Sequence, residues 1–207
     1  TKGIQVTATN EAVTSAGRNN EMAYQVAKAA KELKRDMETA LLSNVAKSAG
    51  NATTARKLGG CPTWYETNVD AASNGSGAGN GAIRTDGTQR AFTEDQLKGI
   101  LVSCYNEGGN PNMIMVNAFN KQKLSGFTGG STRFDAAEDR RLITSIDVYE
   151  SDFGTMQVAP NRFIRGANGT AAKIGQDALV LEMDMFAVSF LRDFSLQNPA
   201  QTADADQ

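Results

Sequence analysis

Between residues 22 and 45 apolar side chains recur at steps of three and four. Met22, Val26, Ala29, Leu33, Met37, Leu41 and Val45 fall on one stripe of a helix. The intervening middle turns carry Lys28, Lys31, Glu32, Lys34, Arg35, Asp36 and Glu38. The pattern predicts a helix that opens within residues 15–19 and runs to about residue 47. At 1.5 Å per residue, about 29 residues make a rod roughly 44 Å long, with one stripe to bury and a broad polar flank left over. The stripe keeps no strict seven-residue repeat and much of it is alanine, so packing against a sheet is expected rather than a coiled coil. Gly50, Gly59 and Gly60 punctuate the chain beyond the helix, and Pro62 blocks an immediate return to helix.

Other segments read at shorter range. Residues 4–13 hold the β-favouring run IQVTAT and predict a strand before the long helix. Residues 71–87 carry glycines at 75, 77, 79, 81 and 87 with almost nothing apolar, which predicts a mobile loop outside the core. Thr93 followed by Gln96 fits a capping box. It opens a second helix whose Leu97, Ile100, Leu101, Cys104 and Tyr105 share a face, with Gly108 placed to end it. The run MIMV at 113–116 reads as a buried strand, and NAFNKQKLSGF after it as a short helix. Residues 144–160 alternate as two strands joined through 152–154. ALVLEM and FAVSFLRDF predict a last pair of strands joined near Asp184, and the tail after Asn198 is polar and expected to fray.

The chain has 207 residues, enough for one large domain or two small ones, and 40% of them are apolar. Its 21 basic and 23 acidic residues are spread evenly and leave a net charge of −2, which argues against an electrostatic footprint for nucleic acid or an anionic membrane. No apolar run is long enough to span a bilayer. The first residues show neither a basic start nor a hydrophobic signal segment, and a chain opening at Thr1 reads as a processed or trimmed product.

There is no histidine, which removes the Ser-His-Asp and Cys-His nucleophile arrangements together. Cys61 and Cys104, without histidine, cannot make a usual four-ligand zinc site, and no disulfide between them is expected. Cys61 has no base beside it and reads as structural; Cys104 reads as core packing. Gly77, Gly79 and Ala82 match a dinucleotide-binding spacing, but no apolar strand precedes them and no helix follows, so no cofactor is expected. Three acidic pairs occur: Glu32 with Asp36, Glu138 with Asp139, and Glu182 with Asp184. The first is flanked by cations and reads as a solvated ion-pair face or a subunit contact. The others carry the enzyme alternative, a carboxylate-dependent hydrolase, which requires them to converge in one concave pocket. The sequons at Asn51 and Asn168 read as chance matches.

Three blocks then resemble one family. RNNEMAYQVAKAAKELKRDMETALLSNVAKSAGNATTARKLGGCPTWYETNV (18–69), YNEGGNPNMIMVNAFNKQKLSGF (105–127) and DVYESDFGTMQVAPNRF (147–163) resemble tailed-bacteriophage major capsid proteins of the Hong Kong 97-type fold. The resemblance implies an α+β chain with a long spine helix, a peripheral-domain sheet, and an axial domain of mixed sheet and helices. On it, residues 1–66 are the returning strand of an extended loop and the spine helix. Residues 67–198 are mainly axial domain, with strands returning to the peripheral domain, and 199–207 a frayed tail. The family's N-terminal arm and most of its extended loop have no counterpart here, which marks a core fragment.

The resemblance implies a structural subunit that assembles with itself into hexamers and pentamers around double-stranded DNA. It has no active site, works with scaffold, portal and maturation protease, is made in the bacterial cytoplasm and is carried in the virion. Lys31, Arg35, Asp36 and Glu38 are the expected subunit-contact residues, facing the shell surface or neighbouring subunits. A nanocompartment shell protein of the same fold is the other reading the resemblance allows.

Overall fold

The structure is a computed structural model that describes residues 2–13, 17, 20–77, 79–85, 87–88, 90–127, 147–164, 177–191, 193–196, 201–202 and 205–206. The chain divides into two compact units, Thr1–Glu38 with Val188–Gln207, and Thr39–Ala187.

In the first unit a two-residue strand β1 (Val6–Thr7) runs into a short helix α1 (Ala8–Ala12). The strand expected over 4–13 is therefore corrected: it stops at Thr7, where the chain turns helical. Helix α2 (Glu21–Leu42) begins after Asn20, whose Oδ1 accepts the Ala23 N–H at 2.6 Å and so satisfies one of the orphan donors of the first turn. The Glu21 N–H donates to Glu11 Oε2 at 3.2 Å, which ties α1 to α2. Two short strands, β6 (Gln201–Thr202) and β7 (Ala205–Asp206), form an antiparallel pair that extends β1 in the order β1-β7-β6. Strands thus occupy part of the tail expected to fray.

Helix α2 is shorter than its periodicity predicts, 22 residues rather than 29, or about 33 Å. The reason lies in contacts distant in sequence. Ser43 Oγ turns back to the Ala40 carbonyl at 3.1 Å. Asn44, 3% exposed, donates Nδ2 to the Arg84 carbonyl at 2.8 Å and accepts the Arg84 N–H at 2.9 Å. The Lys47 N–H goes to the Gly81 carbonyl and the Gly60 N–H to the Val45 carbonyl. Backbone groups that would continue the helix are thus satisfied elsewhere, and Val45, expected on the buried stripe, is exposed. The buried residue at this end is Leu42, one position on from the expected Leu41.

The second unit is built on a four-stranded mixed sheet in the order β3-β4-β2-β5. Its strands are β2 (Met113–Val116), β3 (Val148–Ser151), β4 (Gly154–Pro160) and β5 (Ala178–Leu181). β2 lies parallel to β4, with Ile114 opposite Val158, and antiparallel to β5, with Ile114 opposite Val180. β3 and β4 form the hairpin expected through 152–154, with Tyr149 opposite Met156.

Helix α3 (Glu94–Asn106) starts on the full capping box, Thr93 with Gln96. It ends as expected at Gly108, φ +85°, where the Gly108 and Gly109 N–H groups reach back to the Tyr105 and Cys104 carbonyls. Helix α4 (Ala118–Ser125) is capped by Asn117. Leu97 and Leu101 of α3 and Leu124 of α4 cover one face of the sheet, over Ile114, Val116, Met156 and Val158. Leu42, Ile164, Tyr65 and Phe163 cover the other, over Met115, Leu179 and Leu181. A central strand buried on both faces explains why MIMV is apolar throughout instead of alternating.

Two further expectations are corrected. Residues 71–87 are not an unanchored loop: Ser76 and Thr85 form a bridge, the Gly81 N–H donates to the Thr63 carbonyl, and Gly87 is packed against the Ala72 and Ser73 carbonyls. The strand expected in FAVSFLRDF is absent among the described residues. After β5 the chain makes a single 3-10 turn, Met183–Met185, and residues 186–191 have no ladder partner among the described residues.

Candidate assembly surface

The four residues expected at a subunit contact lie along α2. Lys31, Arg35 and Asp36 are exposed and Glu38 is half-buried. Asp36 pairs with Lys2 Nζ at 3.2 Å, and Glu32 is 3.8 Å from the same nitrogen. One ammonium thus sits between two carboxylates at helical spacing, and it belongs to Lys2 rather than to a cation flanking the pair on the helix. Such an exposed pair contributes about 0–1 kcal/mol, so it orients a surface rather than holding the unit together. The apolar stripe of the same helix, Met22, Val26, Ala29, Leu33 and Met37, is only half-buried.

A second apolar surface lies beyond the 3-10 turn. Leu191 and Leu196 are 90% and 71% exposed, and Val188, Phe190 and Phe194 are exposed as well. Its signal in the sequence is the alternation of FAVSF, which reads as a strand, whereas residues 186–190 form no ladder among the described residues.

Of the four carboxylates that the enzyme alternative requires, the structure describes two. Glu182 accepts the Asn110 N–H at 3.0 Å beside β5, and Asp184 stands exposed in the 3-10 turn. Glu138 and Asp139 lie outside the described residues, as does the Asn168 sequon. The depression between α3 and the β3–β4 hairpin, lined by Leu101, Tyr105, Pro111, Phe153 and Met156 among others, holds about 10 Å³, room for one water. No group of three Cys, Asp or Glu side chains among the described residues is placed to hold a metal ion. At the glycine run, Arg84 packs its side chain against Gly77, with a bridge rather than a strand and helix around it.

Both cysteines are free thiols. Burial pushes the Cys61 thiol above its ordinary value, opposed in part by its 2.6 Å contact with the Tyr65 hydroxyl. Burial also pushes the Tyr65 phenol up, with the Cys61 charge and hydrogen bond adding to it. Burial, then the Glu107 carboxylate, raise Cys104. Each group is neutral in the folded chain, which removes the thiolate a nucleophile needs. Groups whose folded pKa is raised contribute stability that is complete below the unfolded value. It is lost as the unfolded chain ionises, here above about pH 9. The urea midpoint is therefore expected to hold steady from pH 6 to 8 and to fall by pH 10. Tyr65→Phe should reduce that fall, and an equal fall in the variant would mean that the pair is not its source.

No helix among the described residues is long and apolar enough to cross a membrane. Residues 1–207 match the model of a protein family described as SU10 major capsid protein. No curated protein matches the chain.

Proposed function

Because the chain belongs to the SU10 major capsid protein family, a structural phage capsid family, we propose that it forms the wall of an icosahedral shell. In this reading copies assemble into hexamers and pentamers that enclose double-stranded DNA. The match over the whole of residues 1–207 carries the proposal. The α+β architecture supports it: α2 serves as a spine helix, and the sheet of the second unit with α3 and α4 as the axial domain of a Hong Kong 97-type subunit. Residues 1–66 then hold the returning strand and spine helix, and 67–198 mainly the axial domain.

A net charge of −2 suits a container wall, which encloses a polyanion without gripping it along its length. Lys31, Arg35, Asp36 and Glu38 contribute polar contacts between neighbouring subunits or at the wall surface. Scaffold, portal and a maturation protease are the partners such assembly calls on, and the bacterial cytoplasm is where it takes place.

Expression from the complete gene, followed by electron microscopy and intact mass, tests the reading. Closed icosahedral shells are expected. A stable monomer with no shell at any salt or protein concentration would overturn it.

A further inference from the structure

Four cations that are separated in the sequence, Lys47, Arg56, Lys57 and Arg84, come together in the second unit. Three segments are joined there by hydrogen bonds. Ser48 and Lys57 exchange both backbone bonds, at 2.9 and 3.0 Å, which pairs residues 44–48 with 56–59. In turn the Lys47 N–H donates to the Gly81 carbonyl at 2.9 Å and the Asn44 side chain holds both backbone groups of Arg84, which adds residues 81–84. The segments read NVAKS, RKLG and GAIR and contain no Asp or Glu. Lys47, Arg56 and Lys57 are exposed, and Arg84 is half-buried with its side chain against Gly77. Among the described residues none of the four forms an ion pair. Lys47 Nζ instead rests over the ring of Trp64, 5.0 Å from its centroid, and Trp64 is 45% exposed. In a chain of net charge −2 this layer is a local excess of positive charge, gathered by the topology and hidden by the even spread of charge along the sequence.

We propose that this layer is a contact for the phosphate backbone of duplex DNA, and that the face of the second unit bearing it looks onto the enclosed genome. The proposal rests on the capsid reading above and deepens it by giving the wall an inner face. Unpaired cations bind phosphates whatever the base sequence, which is what a wall around arbitrary sequence needs. The four come from separate segments tied by backbone hydrogen bonds, so the fold, and not one flexible run, sets their spacing. Four contacts per subunit bind weakly, since non-specific affinities lie at about 10⁻⁴–10⁻⁶ M. Weak contacts repeated over a shell hold DNA near the wall and still let it move, in keeping with a chain that carries no overall positive charge.

Trp64 is the chain's only tryptophan, so its emission reports on the layer without a label. The protein, as dissociated subunits, is titrated with a short mixed-sequence DNA duplex and separately with polyglutamate. The duplex is expected to change Trp64 emission, with an affinity that falls about a hundredfold between about 50 and 200 mM salt, as four phosphate contacts require. R56Q/K57Q, at two exposed positions, is expected to keep the wild-type unfolding midpoint and to lose about half of the logarithmic salt slope. An emission that does not respond to the duplex, or a slope unchanged in the variant, would overturn the proposal and leave the capsid reading intact. Polyglutamate bound more tightly than the duplex would overturn it too, and would assign the layer to an acidic protein surface. In shells, acylation of Lys47 and Lys57 is expected to run severalfold more slowly when DNA fills them than when they are emptied; equal rates would refute the inner-face assignment. If the variant does not fold, the wild-type titrations and the acylation rates decide. Failure of the wild-type chain to form any shell would instead sink the capsid reading, and this assignment with it.

Discussion

Replacing Gly60 by alanine is expected to destabilise the second unit by about 3 kcal/mol, the upper end of the cost of overpacking, and to lower its urea midpoint accordingly. A methyl group there would stand 2.7 Å from the Ser43 carbonyl carbon and closer still to its oxygen, with the Ala40 carbonyl at 3.3 Å. All of these are backbone atoms at the end of α2, so no side chain can swing away. Nor can the glycine segment withdraw, because the Gly60 N–H is held by the Val45 carbonyl and the Gly60 carbonyl by both the N–H and the hydroxyl of Thr63. The backbone angle is ordinary, φ −66°, so the requirement for glycine is one of space rather than conformation. Gly99 in α3 is the control: nothing lies within 4 Å of its added methyl. Gly99→Ala should stabilise by roughly 0.5–1 kcal/mol through helix propensity alone. Equal effects at the two positions, measured by denaturation, would show that α2 does not end against Gly60.

What the sequence disclosed divides by the range of the interactions involved. The capping box at Thr93, the glycine end of α3 and the buried run of β2 are set within a few residues of themselves, and the structure has all three. The end of α2 depends on Asn44 meeting Arg84, 40 residues away, and on Gly81 meeting Lys47, so a periodicity continuing to Val45 pointed too far. The glycine-rich run misled for a related reason. Its lack of apolar residues excluded it from the core but carried no information about the carbonyls of Ala72, Ser73 and Thr63 that fix its backbone. Helical phase placed Lys31, Arg35 and Asp36 on the exposed surface, where the structure has them. The contacts proposed for them with other subunits depend on a second chain, which no pattern within one chain encodes.

Ile114→Ala is expected to cost more than Gly60→Ala, about 4 kcal/mol within the range of 2–5 for such truncations. Ile114 is fully buried on the central strand, flanked by Val158 on β4 and Val180 on β5. Leu97, Leu101 and Leu124 belong to the same cluster. The walls around the lost atoms therefore belong to two helices and three strands whose backbones are fixed by their own hydrogen bonds, so the site cannot collapse to fill the space. That raises the loss above the transfer cost of the missing carbons alone. At a urea slope of about 2 kcal/mol/M the midpoint should fall by about 2 M. Ile114→Val removes one methylene and should cost only about 1 kcal/mol. Val148→Ala, on edge strand β3 where the side chain is 61% exposed, should stay within about 0.5 kcal/mol. This gradient from centre to edge tests the strand order itself. A cost at Val148 equal to that at Ile114 would require the edge and the centre of the sheet to be exchanged, and would move the apolar face now covered by α3 and α4.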